Sequence, residues 1–449
     1  MTLRFGTDGV RAEALTVLTT EYTTSLARSA ATVLGGTVQH NDAQDNAVWL
    51  VGRDTRESGP ALEAAVVAGL ISAGVTPLLL GVVPTPALAW MSAQMDVPAV
   101  MITASHNPWH DNGLKIFAAG GLKLTDEVER SIEAALHDEL PVSASASASP
   151  VVTATTHDWR EGYVAHLAGI DGSLHGLRVV LDCANGAAFE AAPAVFRAVG
   201  ADVVVIHDQP NGRNINDSCG ATDTASLGRA VVEHRAHLGL AFDGDGDRVI
   251  AVDHRGKVID GDRMIALAAL QLRDEGALHH NTVVVTVMSN LGFHKAMSAA
   301  NVQVVTTAVG DRYVLEALAA GGFSVGGEQS GHIIYRDLAT TGDGVLAGLR
   351  LAQFVHDSGR PLAELADEVM ATYPQVLVNV KVRNRHPQVA EELAAEIAVA
   401  DAGLGGEGRV LVRASGTEPL IRVMVEASTQ AAAQQVADGL AATVLRRFG

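Results

Sequence analysis

Three aspartates alternate with glycines in the segment DGDGDR, at Asp243, Asp245 and Asp247. Carboxylates this close repel one another unless a cation neutralises them, and the glycines leave the backbone free to curl until the side chains converge. Oxygen ligands alone select a hard cation, Mg²⁺ or Ca²⁺. The loop is not of EF-hand type, because its sixth residue is Arg248 and its twelfth is His254. We expect a metal loop with room for a phosphate oxygen; an exposed acidic turn is the alternative.

A serine, Ser105, lies in the segment TASHNP, which follows an apolar run. Ser105 lies in a turn closed by Asn107 and Pro108, so its hydroxyl is expected to be presented rather than packed. A role as a cap or turn former is the alternative, and His106 is equally a ligand or a turn residue. No G-x-S-x-G elbow surrounds the serine, so a hydrolase triad is not indicated.

A glycine-rich loop, GGEQSGH, offers hydrogen-bonding groups suited to sugar hydroxyls at Glu328 and Ser330. His332 can donate or accept a proton near neutral pH. A generic glycine-rich turn is the alternative interpretation.

The segment RASGTEPLIR has the composition of an anion site. Ser415, Gly416 and Thr417 form a plausible nest of hydroxyls and amides, and Arg413 and Arg422 flank it as bidentate clamps. An exposed turn with incidental arginines is the alternative.

The charge balance excludes several classes of protein. The chain has 449 residues, with 32 Lys+Arg against 51 Asp+Glu and a net charge of −19. Nucleic-acid and anionic-membrane binders need a basic face, so neither partner is expected. The two cysteines form no framework, and the start of the chain has no apolar signal segment, which favours the cytoplasm. The uncharged stretch 64–90 is broken by prolines and glycines, so it predicts a helix, a strand and a loop rather than a membrane span.

Strand and helix patterns alternate along most of the chain. Continuous apolar runs such as 177–182 and 282–287 indicate strands buried on both faces, so an α/β fold with mostly parallel sheets is predicted. The tract PVSASASASP (141–150) is interpreted as a surface loop or linker. The tail from about residue 371 has the order β-α-β-β-α. We predict three related α/β domains with mixed sheets and a C-terminal α+β domain, bounded as 1–150, 151–252, 253–368 and 369–449.

Seven motifs together resemble the α-D-phosphohexomutase family. They span residues 5–422 in the order of that family: FGTDGVR, GRDTRESG, TASHNP, DNGLK, DGDGDR, GGEQSGH and RASGTEPLIR. Gln329 and the segment 210–223 resemble the members that act on amino-sugar phosphates. Ala12, where relatives commonly have Gly, is a departure that leaves the motif residues untouched.

The resemblance implies a heart-shaped, four-domain enzyme that interconverts glucosamine 6-phosphate and glucosamine 1-phosphate, on the route to UDP-N-acetylglucosamine. It implies a phosphoserine at Ser105, one Mg²⁺ per active site and a hexosamine 1,6-bisphosphate as intermediate and primer. The phosphoserine and the three aspartates are expected to hold the metal. The expected catalytic residues are Ser105, His106, Arg11, Lys115 and His332. The expected substrate-binding residues are Arg248, Glu328, Ser330, Arg413, Ser415, Gly416, Thr417 and Arg422.

Other functions stay open on the sequence alone. A family member acting on mannose or glucose phosphates differs by one loop, a Mg²⁺-dependent sugar phosphatase would use water as acceptor, and a non-catalytic sugar-phosphate sensor would leave Ser105 unphosphorylated. The expected partner is a small-molecule sugar phosphate, without nucleic acid or membrane. Whether the chain forms a homodimer also stays open.

Overall fold

A computed structural model describes residues 3–6, 8–35, 47–138, 154–170, 172–415 and 419–449. The predicted linker 141–150 and the predicted anion-site residues Gly416 and Thr417 lie outside these ranges. The described residues divide into two compact units, of which the first comprises residues 1–288 and 302–367 and the second comprises 289–301 and 368–449.

Strands and helices alternate through most of the first unit, as the apolar runs predict. Its strands are β1 Val10–Glu13, β2 Val48–Arg53, β3 Thr76–Val82, β4 Ala99–Ile102, β5 Asp111–Ala118, β6 Leu122–Lys123, β7 Thr155–Thr156, β8 Arg178–Asp182, β9 Asp202–Ile206, β10 Leu238–Phe242, β11 Val249–Asp253, β12 Val258–Ile259, β13 Thr282–Thr286, β14 Gln303–Thr307, β15 Val325–Gly327 and β16 Ile333–Tyr335. Its helices are α1 Thr20–Gly35, α2 Gly59–Ser72, α3 Thr85–Met95, α4 Asp126–Asp138, α5 Arg160–Ala168, α6 Ala191–Ala198, α7 Ala225–Glu233, α8 Gly261–Asp274, α10 Asp311–Gly321, α11 Gly344–Ser358 and most of α12 Leu362–Val369.

The first unit contains three sheets, with strand orders β1-β5-β4-β2-β3-β7, β12-β11-β10-β8-β9 and β14-β13-β15-β16. Each sheet has a central strand flanked by two parallel neighbours, and the later neighbour is followed in sequence by an antiparallel strand. The same topology three times confirms the prediction of three related α/β domains. The expectation of mostly parallel sheets holds only at their centres, because each repeat ends on the antiparallel strand.

The turn before that antiparallel strand is the equivalent position in all three repeats. It contains Ser105 between β4 and β5, the DGDGDR segment between β10 and β11, and Glu328 to His332 between β15 and β16. The fold therefore places three of the four predicted site motifs at corresponding points, each after a strand buried in a sheet core.

The second unit is an antiparallel sheet covered by helices, and its order confirms the predicted β-α-β-β-α tail. It contains α9 Leu291–Ala299, β17 Gln375–Lys381, α13 Val389–Glu392, α14 Ala394–Gly403, β18 Gly408–Ala414, β19 Leu420–Ala427 and α15 Gln430–Phe448. The strand order is β17-β19-β18, and apolar residues of the sheet and α15 form one core.

One local expectation needs correction. The uncharged stretch 64–90 folds into parts of α2, β3 and α3, so its last residues begin a second helix where a loop was expected. Among the described residues, no helix is both long enough and apolar enough to cross a membrane.

Candidate active site

Ser105 meets the acidic loop of the second repeat. Its hydroxyl Oγ donates to Asp243 Oδ2 at 2.7 Å. The backbone at Ser105 has φ 52°, and its N–H donates to Thr103 Oγ1 at 2.9 Å. The residue has no exposed surface, so the expectation of a presented hydroxyl is wrong as to exposure. The side chain is buried because the second repeat covers it, and the hydroxyl is aimed at the carboxylates.

The turn that contains Ser105 is held by a buried arginine that sequence reasoning missed. Arg56 is 1% exposed, and its Nε donates to Asp54 Oδ2 at 2.8 Å. Its guanidinium also donates to the backbone carbonyls of Ser105, Asn107, Pro108 and Asp111. One side chain thus fixes four carbonyls of one turn. GRDTRESG was recognised as a motif, but nothing in its spacing shows which carbonyls this arginine reaches.

The three aspartates of the DGDGDR segment converge as predicted. They are buried, and a carboxylate oxygen from each lies within 4.8 Å of the others. Burial, followed by the charges of Asp247 and Asp245, raises the pKa of Asp243 well above its ordinary value. Asp245 Oδ1 and Asp247 Oδ1 are buried and have no hydrogen-bond partner among the described residues. Buried anionic oxygens without partners are costly, so this donor set fits a hard divalent cation.

Lys115 approaches the same carboxylates from β5. Its Nζ lies 2.8 Å from Asp245 Oδ2 and 2.7 Å from Asp247 Oδ2. Burial opposes the ammonium charge, but Asp245, Asp247 and Asp8 outweigh it and raise the pKa of Lys115 well above its ordinary value. The lysine is therefore held as a cation beside the predicted metal loop.

Asp8 links the cations of the first repeat and was not predicted. It lies 2.6 Å from Arg11 Nη2, 2.8 Å from Lys115 Nζ and 2.7 Å from Lys123 Nζ. Burial raises the pKa of Asp8, but these three cations outweigh it and lower the pKa well below its ordinary value. Arg11 and Lys115, both predicted, are thus brought to one carboxylate.

His332 lies between two carboxylates. Nδ1 is 3.7 Å from Asp247 Oδ1, and Nε2 is 3.4 Å from Asp311 Oδ2. Burial disfavours the imidazolium, but Asp247 and Asp311 outweigh it and raise the pKa of His332 above its ordinary value. Asp311 also forms an ion pair with Lys123, and Lys123 forms a second ion pair with Asp8. Asp311 and Lys123 therefore complete a buried polar network that connects His332 to Lys115.

His106 and Arg248 flank the serine and the aspartates. His106 Nδ1 lies 3.4 Å from Ser105 Oγ, and burial together with Arg248 and Arg11 lowers the pKa of His106 to about 4. His106 is therefore neutral at pH 7 and can accept a hydrogen bond. The Arg248 N–H donates to Asp243 Oδ1 at 3.2 Å, and its Nε lies 3.8 Å from Asp247 Oδ1.

Glu328 and Ser330 lie in the equivalent turn of the third repeat. The Glu328 N–H donates to the carbonyl of His332 at 2.9 Å, and its Oε1 accepts from the Gly310 N–H at 3.1 Å. Glu328 is half-buried and Ser330 is exposed. Ser330 is thus free to face solvent or ligand, while one oxygen of Glu328 is already occupied.

The second unit contains two arginines that face each other. Arg413 on β18 pairs in register with Arg422 on β19, and both are half-buried. Burial and the charge of Arg422 lower the pKa of Arg413. Like charges directly opposite on neighbouring strands destabilise a sheet, so a bound anion would relieve a real strain here. Ser415 follows directly, with its N–H donating to the Leu420 carbonyl at 2.8 Å.

Comparison with known proteins identifies relatives along the whole chain. Residues 2–142, 161–256 and 260–373 match the families described as phosphoglucomutase/phosphomannomutase alpha/beta/alpha domains I, II and III, and residues 377–443 match the C-terminal domain. The chain is 54% identical over 443 residues to the phosphoglucosamine mutase of Rhodococcus jostii (strain RHA1), covering 98% of each.

Two solved structures share this fold. A phosphoglucomutase/phosphomannomutase family protein from Burkholderia thailandensis superimposes with a TM-score of 0.79 at 23% identity, covering 98% of this chain and 97% of its own. The N-acetylphosphoglucosamine mutase of Aspergillus fumigatus, in complex with GlcNAc-6P and magnesium, superimposes with a TM-score of 0.70 at 20% identity, covering 99% and 95%.

Proposed function

We propose that this chain, which belongs to the phosphoglucomutase/phosphomannomutase family, works through a phosphoserine at Ser105. Membership of the family makes it an isomerase that moves a phosphoryl group within a sugar phosphate. The observation that supports this assignment best is the contact of Ser105 Oγ with Asp243 Oδ2. The contact supports the proposal because the hydroxyl lies against a buried carboxylate cluster whose oxygens fit a divalent cation. The substrates are glucosamine 6-phosphate and glucosamine 1-phosphate, because relatives more than 50% identical over nearly the full chain are phosphoglucosamine mutases.

The metal is Mg²⁺, one per active site, and Asp243, Asp245 and Asp247 would hold it with an oxygen of the phosphoserine. Two of these aspartates have a buried oxygen without a hydrogen-bond partner in the part of the chain that the structure describes, which supports the assignment. When bound, the ion offsets the negative charge of the phosphoryl group and the carboxylates. The phosphate adds about −1.5 to −2 charge at pH 7, which three buried carboxylates tolerate only beside a cation.

The reaction proceeds in two transfers. In the first, the bond between phosphorus and Ser105 Oγ breaks while a sugar hydroxyl oxygen bonds to phosphorus, which gives a hexosamine 1,6-bisphosphate. The hydroxyl proton passes to a basic group of the site, and Ser105 Oγ receives one. In the second transfer, after the bisphosphate has reoriented, the bond between its other phosphorus and the sugar oxygen breaks while Ser105 Oγ bonds to that phosphorus. The Ser105 hydroxyl proton passes to a basic group of the site, and the sugar oxygen receives one. The same bisphosphate primes unphosphorylated enzyme.

Lys115, His332, Arg11 and His106 handle charge and protons. Lys115 and His332 support this role because both contact the acidic loop. His106 supports this role because its Nδ1 lies 3.4 Å from Ser105 Oγ.

The sugar and its distal phosphate use different loops. Arg248, Glu328 and Ser330 bind the sugar phosphate beside the acidic loop. Arg413, Ser415, Gly416, Thr417 and Arg422 bind the distal phosphate, and the opposed arginines of β18 and β19 support this assignment. Since both substrate orientations present a phosphate at that end, one anion site serves both transfers.

The wider setting rests on the same family. We propose domain limits of 1–150, 151–252, 253–368 and 369–449; the four matched family domains have the same order, and their limits differ from these by one to ten residues. We propose that the enzyme works in the cytoplasm on the route to UDP-N-acetylglucosamine. The two described cysteines are free, as a reducing compartment would keep them.

The substrate assignment is tested by ³¹P NMR of phosphorylated enzyme with Mg²⁺ and, in separate samples, glucosamine 6-phosphate, glucose 6-phosphate and mannose 6-phosphate. The proposal predicts that the 1-phosphate appears fastest from the amino sugar. A faster neutral hexose would indicate a phosphomannomutase or phosphoglucomutase. Inorganic phosphate as the only product would indicate a phosphatase.

A further inference from the structure

A second cluster of potential metal ligands lies behind the Ser105 turn, in the second repeat. It consists of Asp182, His207 and Cys219, whose side-chain ligand atoms lie within 4.8 Å of one another. Asp182 is the last residue of β8, and His207 follows the last residue of the parallel strand β9. These two residues are close in space because the register of the strands pairs Asp182 with Ile206. The loop from residue 210 to 223 then returns Cys219 to the same sheet edge.

Two members of this cluster, Asp182 and His207, are already in contact. His207 Nδ1 lies 3.0 Å from Asp182 Oδ1. The two Asp182 oxygens accept from the Ala184 N–H at 2.9 Å and the Gly220 N–H at 3.0 Å, which fixes the carboxylate. Metal-ligating carboxylates are commonly held by such outer hydrogen bonds. Cys219 is buried, and its Sγ lies 4.0 Å from Asn185 Nδ2, a weak hydrogen bond.

We propose that Asp182, His207 and Cys219 form a site for a thiophilic divalent cation such as Zn²⁺, separate from the all-oxygen Asp243 cluster. Zinc bonds of about 2.0–2.3 Å to oxygen, nitrogen and sulfur place tetrahedral ligand atoms about 3.3–3.7 Å apart. Since the present separations are at most 4.8 Å, each pair of ligand atoms needs to approach by no more than about 1.5 Å. His207 is 30% exposed in its side chain, so water can reach the fourth position.

Charge balance fits a divalent ion. The Asp182 carboxylate and a Cys219 thiolate together offset two positive charges, and His207 binds as the neutral imidazole. A Cys219 thiol that binds the cation gives up its proton to solvent.

The site is connected to the Ser105 turn through the loop that supplies Cys219. The Asn216 N–H donates to the Ala184 carbonyl at 3.0 Å, and Asn216 Nδ2 donates to the Ser105 carbonyl at 2.9 Å. A cation bound to both Asp182 and Cys219 would hold the loop that contains Asn216 against the end of β8. The ion therefore stabilises the platform beneath Ser105 without entering the reaction.

Cobalt titration tests the site, because Co²⁺ replaces Zn²⁺ and thiolate-bound Co²⁺ absorbs in the near ultraviolet. The reduced protein is kept in excess Mg²⁺, which fills the Asp243 cluster, and that cluster has no sulfur to give the band. We expect a thiolate-to-cobalt band that saturates at one equivalent, is removed by Zn²⁺, and is accompanied by a higher thermal unfolding midpoint.

Cys183→Ser is the matched control, since Cys183 is also buried and free but lies outside the cluster. It is expected to keep the band, whereas Cys219→Ser loses it and His207→Gln binds Co²⁺ at least tenfold more weakly. Circular dichroism checks the fold of each variant. If Cys219→Ser does not fold, the Co²⁺ affinity of His207→Gln tests the site instead, because His207 is partly exposed and its replacement is less disruptive. A wild-type protein without the band, or a band that persists in Cys219→Ser or is unchanged in His207→Gln, would overturn the proposal.

Discussion

Ser105 Oγ lies 2.7 Å from Asp243 Oδ2, although 138 positions separate the two residues. Each occupies the turn before the antiparallel strand of its own repeat, so the contact joins equivalent points of two related domains. The proposed phosphoryl acceptor and the proposed metal loop are thus placed by the repeated topology itself. A change at either residue should therefore act on the chemical step before it acts on the fold.

Asp243→Asn should lower kcat by about 100-fold or more, because it removes one charge from the metal loop and one electrostatic partner of Ser105. The Mg²⁺ concentration for half-maximal rate should rise as well. Steady-state rates across a Mg²⁺ series measure both. The control is Asp260→Asn, which alters a carboxylate that caps α8. A variant with normal rate and normal Mg²⁺ dependence would exclude Asp243 as a metal ligand.

Arg56→Lys should retain the fold but lower kcat by roughly 100-fold, since a lysine cannot reach the four carbonyls that the guanidinium fixes, and small displacements of a reacting group are costly. KM should change little, because Arg56 is buried away from solvent. Kinetics with circular dichroism as the fold check separate the two effects. Arg53→Lys is the matched control: Arg53 is the last residue of β2, three positions before Arg56, and it forms an ion pair with Glu63. Equal losses in both variants would mean a general structural role instead.

Arg422→Ala should raise KM for the sugar phosphate by about 10- to 100-fold, the cost of one charge-assisted hydrogen bond, while kcat changes much less. The distal phosphate is bound in the ground state and the transition state alike. Unfolding midpoints should not fall, because the change also removes repulsion from Arg413. Arg446→Ala, on the C-terminal helix, is the control. A fall in kcat at constant KM would contradict the proposed phosphate clamp.

Stability should depend on the ionisation of Asp343, whose pKa is raised to about 6 by burial. The folded protein holds this proton more tightly than the unfolded chain, so stability contributed by the neutral acid is lost as pH rises from about 4 to 6. The loss in the free energy of unfolding over this pH range is about 3 kcal/mol, because the pKa rises from its ordinary value of 3.8 to about 6. Asp343 Oδ2 accepts from Tyr163 Oη, and Asp343 Oδ1 accepts from the Leu346 N–H. An asparagine keeps the bond from Leu346 through its oxygen, and its amide nitrogen can donate to Tyr163 Oη.

Asp343→Asn should therefore be about as stable as wild type near pH 4 and more stable near pH 7. Urea unfolding of both proteins at several pH values gives the difference directly. Asp337→Asn, an exposed change of the same charge on the neighbouring loop, should show no such trend. A difference between Asp343→Asn and wild type that does not vary with pH would rule out this origin.

The sequence predicts the repeats and most of the site, because continuous apolar runs mark buried strands and unusual loops follow them. Asp243, Asp245 and Asp247 could be identified since spacing alone makes them converge. The burial of Ser105 could not, because it depends on a turn of another repeat. Asp8, Lys123 and Asp311 escaped notice for the same reason.

Those missed residues are common charged types whose importance lies in partners far along the chain. Lys123 and Asp311, for example, are 188 positions apart. Arg56 shows the same limit at shorter range, since its partners are backbone carbonyls whose direction only the folded turn determines.

The central claim is that a phosphoryl group on Ser105 passes to the sugar. Enzyme labelled with ³²P at Ser105, with the site located by tandem mass spectrometry, is mixed with excess glucosamine 6-phosphate and Mg²⁺ and quenched within one turnover. The account predicts that the label leaves Ser105 and appears in the sugar bisphosphate and monophosphates, and that folded Ser105→Ala neither takes up label nor turns over. Glucosamine 1-phosphate formed while the label stays on the protein, or normal turnover by Ser105→Ala, would contradict it.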